Sequence, residues 1–426
     1  MKSSIKKNLR KLKKTINSLS KNIEYRNKIQ SLQEKISISP KNAFNNVILI
    51  TIDCLRKDHM SLYGYNKSTT PFLEEISKNS YIFNNFFAAS PWTGPAIVSI
   101  YTGLYPKKHG CGFFDEPSNF DIQKFKFNIK KEHYTLVDVF NSLGYLTYFD
   151  SGSIYPAEHT IISFFDKSNI SNNATEIVDK ALKFLEKISG EKVFVHLHFS
   201  DLHQPIYANE EFRTLFKANF NDEIRNWKFG NKIEPRDEFI KYKQEKLNLY
   251  NAALAYVDNE IKRFFVEYHK LINSNNDLFI ITADHGEEFW DYFEVEKEYF
   301  YDPRKIWGIG HGHNLFSPVT NIPFIIYNKN LNLKIIDAIT SQVDILPTIL
   351  KLLNININFE YEFDGVDIFG LELENRKVFS ESIAYGYQKV AVWDNTNKMI
   401  ISKKDKIQFV LDYKKGQDEI LKIKKL

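Results

Sequence analysis

Four places in this 426-residue chain gather residue types that can hold a metal ion or move a proton. Asp53-Cys54-Leu55-Arg56 closes the apolar run V-I-L-I-T-I, and Asp284-His285-Gly286-Glu287 closes the run L-F-I-I-T-A. His203 stands in D-L-H-Q-P just after the apolar run Val193–Phe199, and His311 and His313 stand in G-H-G-H-N-L-F. Open parallel sheets bind ligands beyond the carboxyl ends of their strands. An aspartate or histidine at one such end can be a helix cap. Asp53 together with Asp284 and His285 suggests more: a divalent cation held by two carboxylates and an imidazole.

A second kind of chemistry lies in Ser90–Gly110, S-P-W-T-G-P-A-I-V-S-I-Y-T-G-L-Y-P-K-K-H-G. Pro95 suits a first helical turn, where its missing N–H costs nothing. Ala96–Tyr101 supply an apolar turn and a half, and Gly103 followed by Pro106 ends it. The Thr93 hydroxyl then sits at or just before a helix N-terminus, where free N–H groups and the dipole favour an anion such as phosphate or sulfate. Thr93 is either a plain N-cap or a nucleophile activated by a metal or a base. As a metal-bound oxygen it would also complete the ligand set of Asp53, Asp284 and His285.

These residues need a scaffold, and the apolar pattern supplies one. Strands are predicted from Asn46 and over Tyr145–Phe149, Val193–Phe199, Leu278–Ala283 and Ile322–Tyr327. Helices are predicted over Pro71–Ser80, His133–Gly144, Asn173–Ser189, Asp237–Leu271 and Val343–Leu353. The alternation means an α/β fold, a doubly wound and mostly parallel sheet flanked by helices. The polar stretch from Asp201 to about Arg236 reads as a lid or substrate loop. From about Arg376 short strands joined by turns form a small C-terminal antiparallel subdomain. The predicted organisation is a helical arm over residues 1–44, a catalytic domain over 45–375 and the β subdomain over 376–426.

Composition narrows the class. Hydrophobic residues make up 43% and charged residues 26%, as in ordinary globular protein. Two cysteines, Cys54 and Cys111, form no disulfide framework and point to a reducing compartment. With no signal-peptide core and no stretch of the ~20 apolar residues that a membrane span needs, the expected location is cytoplasmic, with peripheral contact at the inner membrane face left open. The net charge is +4, but Met1–Phe44 hold twelve Lys or Arg against two Glu. That surplus of ten leaves −6 on the rest, so the basicity is not that of a nucleic-acid groove. Leu9, Leu12, Ile16, Leu19 and Ile23 form one helical stripe, which resumes at Ile29, Leu32 and Ile36. Residues 1–40 therefore read as a membrane-surface helix, a self-association seam or a solvated arm.

From Asn46 to Gly370 the motifs resemble the sulfatase branch of the alkaline phosphatase superfamily. Six carry the likeness in order: I-T-I-D-C-L-R-K-D-H-M, W-T-G-P…Y-T-G-L-Y-P-K-K-H-G, H-L-H-F-S-D-L-H-Q-P, T-A-D-H-G-E-E-F, G-H-G-H-N-L-F and S-Q-V-D-I-L-P-T. The resemblance implies that Asp53, Asp284 and His285 are metal ligands and that Thr93 holds the nucleophile's place. It implies that His203 contacts the transferred group or leaving oxygen, with His311 (preferred) or His313 opposite. Arg56 either touches substrate or braces its loop, and His198 and His109 are structural. Departures matter too. The formylglycine motif, Cys or Ser followed by x-Pro-Ser-Arg, is replaced by Thr93-Gly94-Pro95-Ala96-Ile97, and Cys54 stands where a second aspartate belongs. One Mn²⁺, Zn²⁺ or Mg²⁺ is expected, with Ca²⁺ disfavoured. The implied function is a metal-dependent hydrolase or transferase of phosphate esters, acting through a covalent Thr93 intermediate. The anionic ester could belong to a glycan, including a bacterial surface polysaccharide, or to a lipid head group. Two alternatives stay open: a sulfate-ester hydrolase with an atypical nucleophile, and a catalytically silent glycan- or lipid-binding member.

Overall fold

Eight strands build the main sheet of the computed structural model, which describes residues 23–38, 44–121, 129–130, 132–152, 164–272, 274, 276–359, 361–370, 373, 375–414 and 416–426. In chain order they are β1 (Val47–Ile52), β2 (Ser80–Phe83), β3 (Leu146–Ser151), β4 (Lys167–Ile170), β5 (Val193–Phe199), β6 (Leu278–Ala283), β7 (Phe324–Tyr327) and β8 (Lys334–Ile336). Across the sheet the order is β8-β2-β7-β6-β1-β5-β3-β4. Every residue of β1, β5 and β6 is buried, as their unbroken apolar runs require of strands covered on both faces.

The register places the chemistry. Strand β1 pairs in parallel with β5 and β6, with Ile52 opposite Phe199 on one side and Ala283 on the other. Asp53 and Asp284 therefore leave the sheet abreast at its carboxyl edge. Helices α1 (Pro71–Ser77), α4 (Ala174–Leu185) and α5 (Arg236–Leu271) pack as one layer. Helices α2 (Thr93–Thr102), α3 (Leu136–Ser142) and α6 (Ile345–Leu352) form another. That is the doubly wound arrangement expected.

Three strands escape the apolar pattern. Strands β4 and β8 are the edges of the sheet and are largely exposed; β4 is mostly polar and β8 is only three residues long, so neither carries a recognisable apolar run. Strand β2 is four residues long and follows α1 within a few residues; the helix expected over Pro71–Ser80 covers its first residue, and no expected element covers the other three. Strand β7 runs antiparallel to both its neighbours although its apolar run resembles that of β6. Burial on both faces sets such a run, whichever way the strand points.

The C-terminal sheet holds β9 (Val378–Ser380), β10 (Val390–Trp393), β11 (Lys398–Ser402), β12 (Ile407–Asp412) and β13 (Glu419–Lys425), paired antiparallel in that order. The Lys-rich last strand is an exposed edge that the pattern misses. Trp393 stacks on Phe87 at 4.5 Å and joins this sheet to the body.

A helix over residues 23–35 docks on the body rather than standing apart as an arm. Leu32 is fully buried, Lys28 Nζ donates to Asp138 Oδ2 at 2.8 Å and to the His133 carbonyl at 3.0 Å, and Ile36–Ile38 pairs antiparallel with Ile355–Ile357. The resumed stripe thus packs inward, and the boundary expected at residue 44 falls after a docked segment. Leu9, Leu12, Ile16 and Leu19, on which the membrane and self-association readings rest, lie outside the described residues. Among the described residues no helix is long and apolar enough to cross a membrane.

Candidate active site

Where β1 ends, Asp53 enters a cluster whose ligand atoms converge. One ligand atom each from Asp53, Asp284 and His285 lie within 4.8 Å of one another, all three side chains buried. His285 Nε2 is 3.5 Å from Asp53 Oδ1 and 3.4 Å from Asp284 Oδ2. The Asp284 Oδ1 atom accepts from the backbone N–H of His285 at 2.8 Å and of Cys54 at 3.3 Å. The other oxygen, Oδ2, is buried with no hydrogen-bond partner, as is His198 Nε2, 3.8 Å from Asp53 Oδ2. Buried polar atoms are ordinarily satisfied. Two orphans around a pair of carboxylates fit a cation, with Asp53, Asp284, His285 and the Thr93 hydroxyl to hold it.

The loops that deliver these groups are tightly determined. Cys54 has a left-handed φ of 62°, a costly conformation for a non-glycine residue. Tyr250 holds it there: its hydroxyl donates to the Cys54 carbonyl at 2.7 Å and accepts from Arg56 N at 2.9 Å. Gly286 permits the 284–287 turn, since a Cβ there would come within 2.0 Å of the Pro318 carbonyl oxygen.

Thr93 is the first residue of α2, with Trp92 rather than Thr93 at the N-cap position. Its hydroxyl lies 3.2 Å from His285 Nε2. His285 Nδ1 donates to the Gly286 carbonyl at 2.8 Å, so Nε2 carries the lone pair that faces Thr93 and the carboxylates. Two further imidazoles stand across from Thr93, with ring centres 5.2 Å apart. His203 Nδ1 donates to the Gln204 carbonyl at 2.6 Å, and His311 Nδ1 donates to Glu287 Oε1 at 2.9 Å, which leaves both Nε2 atoms available. Thr93, His203 and His311 line one cavity of about 390 Å³ together with Trp92, Trp227, Arg304 and Tyr385. The Arg304 guanidinium lies 3.5 Å from the centre of the Tyr385 ring and pairs with Asp302 at 2.6 Å.

Charge is shared unequally in the cluster. Burial would raise the Asp53 carboxyl, but His203, then His198 and His285, hold it well below the usual carboxylate range. Burial and the neighbouring Asp53 charge push Asp284 up. Burial also pushes the Cys54 thiol well up, and the nearby carboxylates add to it. For His203 burial works downward, but Asp53 and Glu287 outweigh it and raise the imidazole.

The Sulfatase family model matches residues 45–355, most of the chain. The chain belongs to the sulfatase family. It is 21% identical to an arylsulfatase of Clostridium perfringens (strain 13 / Type A) over 460 residues, covering 89% of this chain and 88% of that protein. Its fold matches the phosphonate monoester hydrolase of Agrobacterium radiobacter with a TM-score of 0.64 at 15% identity, covering 87% of this chain and 90% of that one. It also matches the C-terminal periplasmic domain of Escherichia coli EptC, in its complex with Zn, with a TM-score of 0.57 at 17% identity, covering 81% and 91%. The relatives are hydrolases and transferases of the alkaline phosphatase superfamily.

Within this sulfatase-family fold, not every residue singled out in the sequence faces the cavity. Arg56 is spent elsewhere, on Asp58 and Asp291 at 2.6 Å each and on the Glu287 carbonyl at 3.3 Å. It braces the 53–58 loop against 287–291. His313 turns inward, with Nε2 3.0 Å from Glu296 Oε2 and Nδ1 3.2 Å from the His311 carbonyl. Of the two histidines in G-H-G-H, His311 is the one at the cavity. His109 bonds Ser99 and the Cys111 backbone, away from the cluster. His198 stands closer than a purely structural reading allows: Nδ1 bonds Thr51 Oγ1 at 2.7 Å and Nε2 faces Asp53. Glu287 has no role in the sequence reading, although T-A-D-H-G-E places it two residues beyond His285.

Proposed function

We propose that this chain transfers the phosphoryl group of an anionic ester through a covalent intermediate on Thr93. The observation that carries the reading is the Thr93 hydroxyl. It sits at the N-terminus of a ten-residue helix, 3.2 Å from His285 Nε2, at the cavity that holds His203 and His311. Asp53, Asp284, His285 and Thr93 would hold a divalent cation, which supplies positive charge to lower the threonine pKa and to neutralise the transferred group.

The chain's own groups then have distinct tasks. Thr93 Oγ1 forms the new bond to phosphorus as the bond to the leaving oxygen breaks, and its hydroxyl proton passes to solvent. The free N–H groups and dipole of α2 receive the phosphoryl oxygens. His311, aimed by Glu287, gives its Nε2 proton to the leaving oxygen and then takes one from the water or acceptor hydroxyl that releases Thr93. His203 faces the group in flight. The aromatic faces of Trp92, Trp227 and Tyr385, with Arg304 beside them, suit a ring-bearing leaving group such as a sugar, and the rest of an anionic substrate.

Threonine favours phosphate over sulfate. Formylglycine hydrate releases sulfate by collapsing to an aldehyde, a route closed to threonine, and a phosphate ester gains more from a cation because it carries more negative charge. The likeness to an arylsulfatase favours the alternative of a sulfate ester. A panel of aryl phosphate, phosphonate and sulfate esters, run with Zn²⁺, Mn²⁺ and Mg²⁺ after chelation, separates the two. Phosphoesters should turn over at least ~10-fold faster than sulfates, a difference of about 1.4 kcal/mol in barrier. Robust sulfate release with no phosphoesterase activity would overturn the reading.

A further inference from the structure

Part of the cavity wall is a segment with little structure of its own. Asn226 and Trp227, which line the cavity with His203 and His311, follow the four-residue helix Asp222–Arg225. So short a helix leaves its last carbonyls without partners inside it. Three carbonyls, those of Ile224, Arg225 and Asn226, accept from one ammonium, Lys246 Nζ on α5, at 3.0, 3.2 and 2.8 Å. The Arg225 carbonyl also accepts from Ile206 N at 3.1 Å, which ties in the segment that follows His203.

Lys246 is fully buried, and its three N–H groups are spent on those carbonyls rather than on a carboxylate. A buried cation is costly to keep, and methionine would fill the same space without that cost. Burial pushes the ammonium down to about 7, and Glu287 works in the opposite direction. Three carbonyl acceptors favour the charged form. That charge lies 4.1 Å from the centre of the Trp227 ring, within reach of a cation–π attraction. Trp227 is thus held through the carbonyl before it and through its own ring. It also packs on Phe289 and Trp290, with ring centres 5.5 and 5.6 Å away.

We propose that Lys246 is a positioning residue: by clasping the 224–226 carbonyls and the Trp227 ring, it holds Trp227 as the platform for the ring of the leaving group. The assignment rests on the anionic-ester reading of the cavity but not on the Thr93 intermediate. It names the residue that keeps the cavity selective for ring-bearing esters.

The test compares phenylphosphonate with methylphosphonate, two unreactive anions that differ in the ring. Calorimetric binding to the full-length protein with Zn²⁺ is read at about pH 6, where the ammonium keeps its proton. The unaltered protein should prefer the phenyl compound by ~10-fold, and Lys246→Met and Trp227→Ala should each erase most of that preference. Adding Lys246→Met to Trp227→Ala should change the preference by less than about twofold, because the lysine acts through the tryptophan. With an aryl phosphate or sulfate, whichever turns over, Lys246→Met should raise KM far more than it lowers kcat. The preference is a ratio within one protein, so an unfolded fraction of a variant cancels. A preference lost in Trp227→Ala but kept in Lys246→Met would overturn the clasp. One kept in Trp227→Ala, or absent from the unaltered protein, would overturn the platform. Binding of neither phosphonate would overturn both together with the anionic-ester reading.

Discussion

Two of the buried polar clusters among the described residues are built on opposite principles. Where the C-terminal sheet meets the body, Lys398 Nζ bonds Asp418 Oδ2 at 2.7 Å with both side chains fully buried. Ser317 donates to both Asp418 oxygens, from its N–H at 2.7 Å and from its hydroxyl at 2.6 Å. Nearby, Glu296 accepts from the Gly308 N–H at 2.7 Å, pairs with His313 and takes the Asn314 amide. At the carboxyl edge of the main sheet, Asp53, Asp284, His198 and His285 are as deeply buried, yet Asp284 Oδ2 and His198 Nε2 have no partner. Charge type and burial therefore do not mark a site, because both clusters have them. What differs is whether the donors and acceptors close on one another. The satisfied cluster ties the C-terminal sheet to the neighbouring helices and loops of the body, and the unsatisfied one is shaped for something that is not protein.

Substitution should separate the two kinds. The largest effect is expected for Asp284→Asn. It keeps the Oδ1 atom that accepts two backbone N–H groups but loses the charged, orphaned Oδ2. Esterase activity should fall by ~10³-fold or more while the metal-free protein melts no earlier, because no contact within the fold is lost. A clear drop in metal-free stability would place Asp284 with the satisfied kind.

Lys398→Met should do the reverse. It leaves Asp418 buried without its cation and should cost about 3 kcal/mol in urea unfolding, with kcat little changed in the folded protein. A large loss of turnover at unaltered stability would break the comparison.

A smaller effect probes a further buried carboxylate, away from both clusters. Asp258 on α5 accepts from Phe72 N at 2.8 Å and Leu73 N at 3.1 Å, capping α1 from outside because Thr70 makes no side-chain cap bond. Burial pushes its carboxyl up to about 7, despite those two bonds. Between the ordinary value near ~4 and 7 the folded state binds more protons than the unfolded one, so stability falls as pH rises through that window. Asp258→Asn should flatten this slope when unfolding is measured at pH 4, 5.5 and 7 (roughly the bounds of that window). An unchanged slope would show that another group carries it.

The sheet's centre was legible in sequence because β1, β5 and β6 are buried on both faces and must be apolar throughout. Its edges were not, since β4 and β8 face solvent, β4 with mostly polar residues and β8 with a run of only three. Asp53, Asp284, His285 and Thr93 could be picked out because each adjoins a strand end or helix start that its own neighbours define. Which histidine of G-H-G-H faces the cavity could not be read so locally. His311 and His313 are two residues apart, and distant carboxylates in the fold, Glu287 and Glu296, claim one each. Arg56 was ambiguous for the same reason: its carboxylate partner Asp291 arrives from another loop. The docking of residues 23–35 depends on α3, whose Asp138 takes Lys28, and an apolar stripe on a basic segment does not alone reveal it.

The central claim is that Thr93 carries the group in transit. Protein mixed with a phosphate ester, quenched in acid within the first turnovers and digested for mass spectrometry, should show phosphate on the peptide containing Thr93. The adduct should be absent in Thr93→Ala, whose activity should fall by ~10³-fold or more. Full activity in Thr93→Ala, or turnover with no adduct on Thr93 under any quench, would contradict the account.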